Sequence, residues 1–211
     1  TGSERYLDYY FSFNIKRVKN DNKNKQKVKQ NVEKIIFVTT PRVGFGTIKK
    51  LLNTDKNIHV NIDIFSRNTT AITEVFGDKR YTVPKEFLNT YFNLIRVDNN
   101  KQKYAFRYKI WDKPDNLLDV IDNDYTFVLL TRRNLLNCLV DVAFASNTGQ
   151  WHLTEDIKTV DKFSIDKKWA DEWIKGCVEY YKNKKETLKK RNIKYKEFFY
   201  EDYLENGLNL N

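Results

Sequence analysis

The residues of this chain best placed to do chemistry lie between positions 37 and 47, where it reads Phe-Val-Thr-Thr-Pro-Arg-Val-Gly-Phe-Gly-Thr. The short apolar run Ile35 to Thr39 ends in a Pro/Gly turn, and a helical segment closing on Leu51 and Leu52 follows. At a strand-to-helix turn of this kind, consecutive backbone N–H groups and the helix dipole can hold an anion. The expected donors are the amides of Val43, Gly44, Phe45, Gly46 and Thr47, and the two glycines let a ligand approach the backbone closely. Arg42 adds a positive charge beside these amides. The Gly-Lys-Ser/Thr ending of a nucleoside-triphosphatase loop is missing, which argues against an ATPase, a GTPase or a kinase.

Three further segments hold candidate functional groups. Asn57 to Phe65 carries His59 and Asp63; Phe127 to Leu136 carries Arg132 and Arg133 and runs on into Thr148-Gly-Gln-Trp-His152; and Tyr200-Glu-Asp-Tyr203 lies near the C-terminal end. His59 and His152 are the only histidines, and each could act as a base near neutral pH. Structural roles are the simpler reading for both, because His59 falls in a strand pattern and His152 in a loop-anchoring run. Trp151, Trp169, Trp173 and Tyr181 could stack on a base or line a pocket, yet at helical spacing they equally fit a core and are left unassigned.

Taken in order, the four segments resemble the sulfotransferase family, and the bacterial and viral enzymes acting on glycans and lipids most of all. The first is similar to the family's 5′-phosphosulfate loop, Pro-Arg-Ser-Gly-Ser-Thr before a leucine-rich helix, with Pro41, Arg42, Gly44, Leu51 and Leu52 matching. Val43 and Phe45 stand where the family has serines, and Gly46 where it has threonine. The segment around Asp63 is similar to Gly-Glu-Ile-Phe, and Tyr200 to Tyr203 to the closing Tyr-Glu-Asp-Leu. The resemblance covers about residues 33 to 205. It implies binding of 3′-phosphoadenosine-5′-phosphosulfate (PAPS), with adenosine 3′,5′-bisphosphate (PAP) as the product nucleotide, and a hydroxyl-bearing acceptor on a glycan, lipid or small metabolite. By the same resemblance Arg42 and the loop amides face the 5′-phosphosulfate, Arg133 grips the 3′-phosphate, and Asp63 is the first choice for the base. The family's phosphate-gripping serine falls on Asp141, whose carboxylate is expected to pair with Arg133 and weaken the hold on a 3′-phosphate.

The elements that must position these residues alternate strand-like and helix-like along the chain, which points to βα units on a parallel sheet with helices on both faces. Strands are expected at Ile35–Thr39, Ile58–Phe65, Tyr104–Ile110, Tyr125–Leu130 and Tyr195–Tyr200. Helices are expected from Pro84 to Ile95, with proline at the first position, from about Asn134 to Ser146, and through Trp169 to Leu188 with Asp166 as N-cap. This is the three-layer, P-loop nucleotide-kinase-like fold that the resemblance implies. Residues 35–211 are read as one domain, and residues 4–34 as an aromatic and then Lys/Asn-rich segment, a solvated loop or exposed helix from residue 16 onward.

Composition narrows the function without choosing it. With 38 Lys and Arg against 28 Asp and Glu, the net charge of +10 attracts anions of any kind. The basic residues are spread along the chain and the aromatics sit in apolar patterns, so nucleic acid is a weaker reading than a phosphorylated cofactor. Cys138 and Cys177 lie in apolar helical patterns and suit reduced core thiols, hence a cytoplasmic protein. No stretch approaches the ~20 apolar residues of a membrane span, and no metal is called for. The alternative to an active sulfotransferase is a degenerate relative that binds an anion or a partner without transfer. A basic nucleic-acid-binding protein is the second alternative.

Overall fold

The computed structural model describes residues 32–61, 63–66, 70–99, 101–151 and 162–206. Among them, five strands form one parallel sheet: β1 (Glu33–Thr39), β2 (Ile58–Asn61), β3 (Lys103–Lys109), β4 (Tyr125–Thr131) and β5 (Tyr195–Phe199), in the order β2-β3-β1-β4-β5. The strand read from Ile35–Thr39 is central, as expected. In the register across the middle, Val38 stands beside Tyr108 and Leu129.

The strands are near-continuous apolar runs because both faces are covered. Side chains alternate between faces, so Ile36 and Val38 enter one core while Phe37 enters the other. The first core joins Tyr104, Phe106, Tyr108, Phe127 and Leu129 to helix α4 (Pro84–Asn99) through Phe87, Leu88, Tyr91, Phe92 and Ile95. On the other face, helix α1 (Phe45–Leu52) contributes Phe45, Ile48 and Leu52, and two long helices complete the layer: α6 (Leu135–Thr148) with Cys138, Leu139 and Val142, and α7 (Lys167–Lys190) with Trp173 and Cys177. Fully burying one such large apolar side chain contributes about 1.5–3 kcal/mol. Both cysteines are free and buried, and burial pushes their thiols up, to about 11 for Cys138 and about 12 for Cys177.

Shorter helices fill the connections: α2 (Thr70–Phe76), α3 (Lys79–Thr82), α5 (Leu117–Val120) and α8 (Tyr200–Asn206). Caps follow the local sequence. The Asp166 side chain accepts the Trp169 N–H at 2.7 Å, and Asn134 accepts from Leu136 and Asn137 to start α6. Two expectations shift. The second strand stops at Asn61 rather than Phe65, since Asp63 takes a left-handed conformation (φ 36°), and Tyr200 begins α8 instead of ending β5. The expected loop or exposed helix of residues 16–34 falls almost wholly outside the described residues. None of the described helices is long and apolar enough to cross a membrane.

Candidate functional site

The strand order sets the location. The chain leaves β1 toward β2 and leaves β4 toward β5, so the crevice between the carboxyl ends of β1 and β4 is a topological switch point, where parallel sheets place ligands. The loop from Thr40 to Gly44 opens into it. Tyr181, reaching in from α7, fastens its base: its hydroxyl accepts the Thr40 N–H at 2.9 Å and donates to the Leu130 carbonyl.

Arg42 (φ 61°) and Gly44 (φ 77°) are both left-handed, which bends the loop sharply. The side chains of Val43 and Phe45 turn into the core, Phe45 edge-on to Phe37, and leave their backbone at the mouth. Thr47 and Ile48 donate to the Gly44 carbonyl at 3.1 and 3.3 Å. The N–H groups of Val43, Gly44, Phe45 and Gly46 meet no acceptor among the described residues, and Gly44 brings no side-chain cap. Thr47 therefore drops out of the expected amide donors. A Cβ on Gly44 would run into the Tyr200 ring, so glycine is required there twice over, by conformation and by contact; beside Gly46 a Cβ would meet nothing within 4 Å.

The arginines are disposed differently from the sequence reading. The Arg42 guanidinium donates to the carbonyls of Trp151 (2.8 Å) and Gln150 (3.1 Å) and lies 5.5 Å from the Trp151 ring, tying the end of α6 to the loop. Its Nε is buried without a partner among the described residues. Asp141 pairs with Arg132 at 3.2 Å and not with Arg133, which corrects that expectation. The reason is strand parity: Arg132 and Arg133 follow β4 directly, and successive side chains leave in opposite directions. Arg132 turns back to the Arg42 carbonyl (3.2 Å) and over the Tyr200 ring (5.1 Å). Arg133 pairs with Asp202 at 2.5 Å and stacks on Phe199, while Glu201 accepts the N–H groups of Arg133 and Asn134.

On the other flank of β1, Asp63 receives a bidentate pair from Arg107, both contacts 2.6 Å, and a third contact from Lys109 at 3.1 Å. Burial pushes the Asp63 carboxyl up, but the two cations outweigh it and hold it below the usual carboxylate range. An ionised carboxylate so held is a weak base. Lys49, on α1, adjoins this cluster; burial lowers its ammonium, with Asp63 opposing and Arg107 reinforcing the shift. Arg107 also lies over the Phe45 ring (5.1 Å), joining the cluster to the loop. Lys109 stands 3.9 Å from a second carboxylate, Asp112, which accepts the Lys109 N–H at 2.8 Å and is only 5% exposed. Burial raises the Asp112 carboxyl to about 6.

His59 faces Tyr104 in the sheet, and burial together with the Lys49 and Lys101 charges lowers it to about 4, so it is neutral at pH 7. His152 lies outside the described residues. Arg107, Lys109 and Asp112 were not singled out from sequence, whereas Tyr181 was named there without a role and Tyr200 only as part of the closing segment. Arg107 and Lys109 are the polar positions of the alternating strand expected at Tyr104–Ile110, and nothing local marks them as part of a site. Compared with known proteins, the chain matches no family model, no curated protein and no solved structure.

Proposed function

We propose that this chain binds an adenosine nucleotide carrying a 5′-phosphosulfate and transfers the sulfuryl group to a hydroxyl acceptor, as a sulfotransferase of the P-loop nucleotide-kinase-like fold. The observation that carries the reading is the loop after the central strand, where the Val43 to Gly46 amides point no bond inward and lie at the switch point beside Arg132 and Arg107. A 5′-phosphosulfate fits this cradle on those donors, and Lys49, Arg107 and Lys109 give positive potential next to it for the oxygens of a transferring group. PAPS supplies the activated sulfuryl group. The chain's part is to position it, balance the charge on its oxygens and accept the proton of the incoming hydroxyl.

A second reading, a sulfotransferase-like protein that binds an anion without transfer, is favoured by one observation. Arg133, the expected 3′-phosphate grip, is already engaged by Asp202, and its neighbour Arg132 by Asp141. Calorimetry with PAP, adenosine 5′-phosphosulfate and single-stranded DNA, followed by an assay for PAP release from PAPS, separates the readings. The sulfotransferase reading requires nucleotide binding and turnover. Nucleotide binding alone leaves the binder, and binding of DNA alone removes both.

A further inference from the structure

Three consecutive residues after β5 reach both sides of the crevice between β1 and β4. Tyr200, Glu201 and Asp202 open α8. The Tyr200 ring lies so close on Gly44 that a Cβ there would overlap it, which seats α8 against the loop. Glu201 accepts the Arg133 N–H at 3.0 Å and the Asn134 N–H at 3.4 Å, and so fills the turn between β4 and α6 with a carboxylate. Asp202 takes the Arg133 guanidinium at 2.5 Å.

At this turn the chain supplies the anion itself. Burial pushes the Glu201 carboxyl up, but the N–H groups of Arg133, Glu201 and Asn134, together with the Arg132 charge, outweigh it and hold the carboxyl below the usual range. Glu201 is therefore a fixed negative charge at neutral pH. Asp141 pairs with Arg132, so both guanidinium groups of this flank are engaged, and three carboxylates against two arginines leave it net negative. Such a surface suits a ribose 3′-hydroxyl, which can donate to a carboxylate. It opposes a 3′-phosphate, whose oxygens accept and carry like charge.

Resting on the sulfotransferase reading, we infer that Glu201 determines nucleotide specificity: it keeps a 3′-phosphate out of the β4 turn, so that adenosine 5′-phosphosulfate serves this chain as sulfuryl donor as well as PAPS does. With the transferring group toward Lys49, Arg107 and Lys109, the ribose end of the nucleotide lies toward the β4 flank, and binding is carried by the 5′ end. The transfer balances without the 3′-phosphate. The acceptor oxygen bonds to sulfur, the bond from sulfur to the 5′-phosphate oxygen breaks, adenosine 5′-phosphate (AMP) leaves with the electron pair of that bond, and the acceptor's proton ends on water.

The test sets PAP against AMP, which differ only in the 3′-phosphate, by calorimetry on wild type, Glu201→Gln and Glu201→Ala. Nucleotide release from PAPS and from adenosine 5′-phosphosulfate, with methyl glucoside as acceptor, is followed beside it. Wild type should bind PAP and AMP within about threefold of each other and consume both donors at similar rates. Glu201→Gln keeps the size of the side chain and one accepting oxygen; it should tighten PAP about tenfold and change AMP by less than about twofold. Glu201→Ala should move the ratio in the same direction. Wild type that prefers PAP by about tenfold or more, or consumes PAPS alone, overturns the inference. So does a Glu201→Gln protein with the ratio unchanged or with both nucleotides weakened alike, the mark of a residue that only braces the turn. Equal binding with neither donor consumed overturns it in favour of the anion binder. Wild type that binds neither nucleotide and consumes neither donor overturns the sulfotransferase reading, and the inference goes with it.

Discussion

The two flanks of β1 carry opposite balances of charge around the same loop. On the β3 side, Lys49, Arg107 and Lys109 face Asp63 and Asp112, three cations to two carboxylates. On the β4 side, Arg132 and Arg133 face Asp141, Glu201 and Asp202, two cations to three carboxylates. The β3 groups are largely shielded, with side chains of Asp63, Arg107 and Lys109 about one-fifth exposed, whereas Asp141 and Asp202 are 53% and 42% exposed. Charge in the shielded cluster is weakly screened and acts strongly at short range, while the exposed pairs are each worth less than about 1 kcal/mol. An anion entering the loop is therefore drawn to the β3 flank and loses little by breaking pairs on the β4 flank. On the proposed sulfotransferase reading, the transferring group lies on the β3 side and the β4 side serves as an adjustable clamp.

The comparison breaks most completely at its pivot. Gly44→Ala forces a left-handed alanine, costing about 1–2 kcal/mol, and drives a methyl group into the Tyr200 ring, with a further 1–3 kcal/mol of overpacking. Denaturant unfolding should show a loss of about 3 kcal/mol. A loss below 1 kcal/mol would mean that the loop and Tyr200 are not in contact.

The β3 flank is sharpened by pH. Asp112 is raised from 3.8 to about 6 in the fold, so the stability it contributes is full below pH 4 and is lost as pH rises through 6. His59 is lowered from 6.5 to about 4, so its contribution is full above pH 6.5 and is lost as pH falls toward 4. Each shift corresponds to about 3 kcal/mol, and the signs oppose. Wild-type stability should be nearly flat with respect to these groups between pH 4 and 6.5. Asp112→Asn should uncover a rise with pH and stabilise the protein at pH 8, and His59→Gln should uncover a fall. Parallel curves for all three proteins would show that neither group is held as described.

The smallest expected effect lies on the β4 flank. Asp141→Ser frees Arg132 and should change stability by less than about 1 kcal/mol. It should also tighten PAP binding up to about tenfold while leaving adenosine 5′-phosphosulfate nearly unchanged. Equal effects on both nucleotides would place Asp141 outside the 3′ side of the site.

The sheet was legible because each strand is a bounded apolar run, and the helix starts at Pro84 and Asp166 because their chemistry is local. The tight strand-to-helix turn at residues 40–44 was legible for the same reason, with both glycines and the junction adjacent in sequence. What the sequence hid were pairings across long separations. Nothing local tells whether Arg132 or Arg133 meets Asp141, or that Arg42 spends its guanidinium on the carbonyls of Gln150 and Trp151. Arg107, Lys109 and Asp112 read as the polar half of an alternating strand and the loop after it, and only the neighbouring strands bring them to Asp63. Tyr181 passed for one more ring in a core stripe until its hydroxyl met Thr40.

The central claim is that the amides of Val43 to Gly46 hold the 5′-phosphate end of an adenosine nucleotide. Titrating ¹⁵N-labelled protein with PAP and following the assigned amide signals tests it directly. The account predicts that the largest saturable shifts fall on Val43, Gly44, Phe45 and Gly46, with smaller ones at Arg132 to Asn134. Saturable shifts centred elsewhere with these four signals unmoved, or no saturable shift at millimolar PAP, would contradict it.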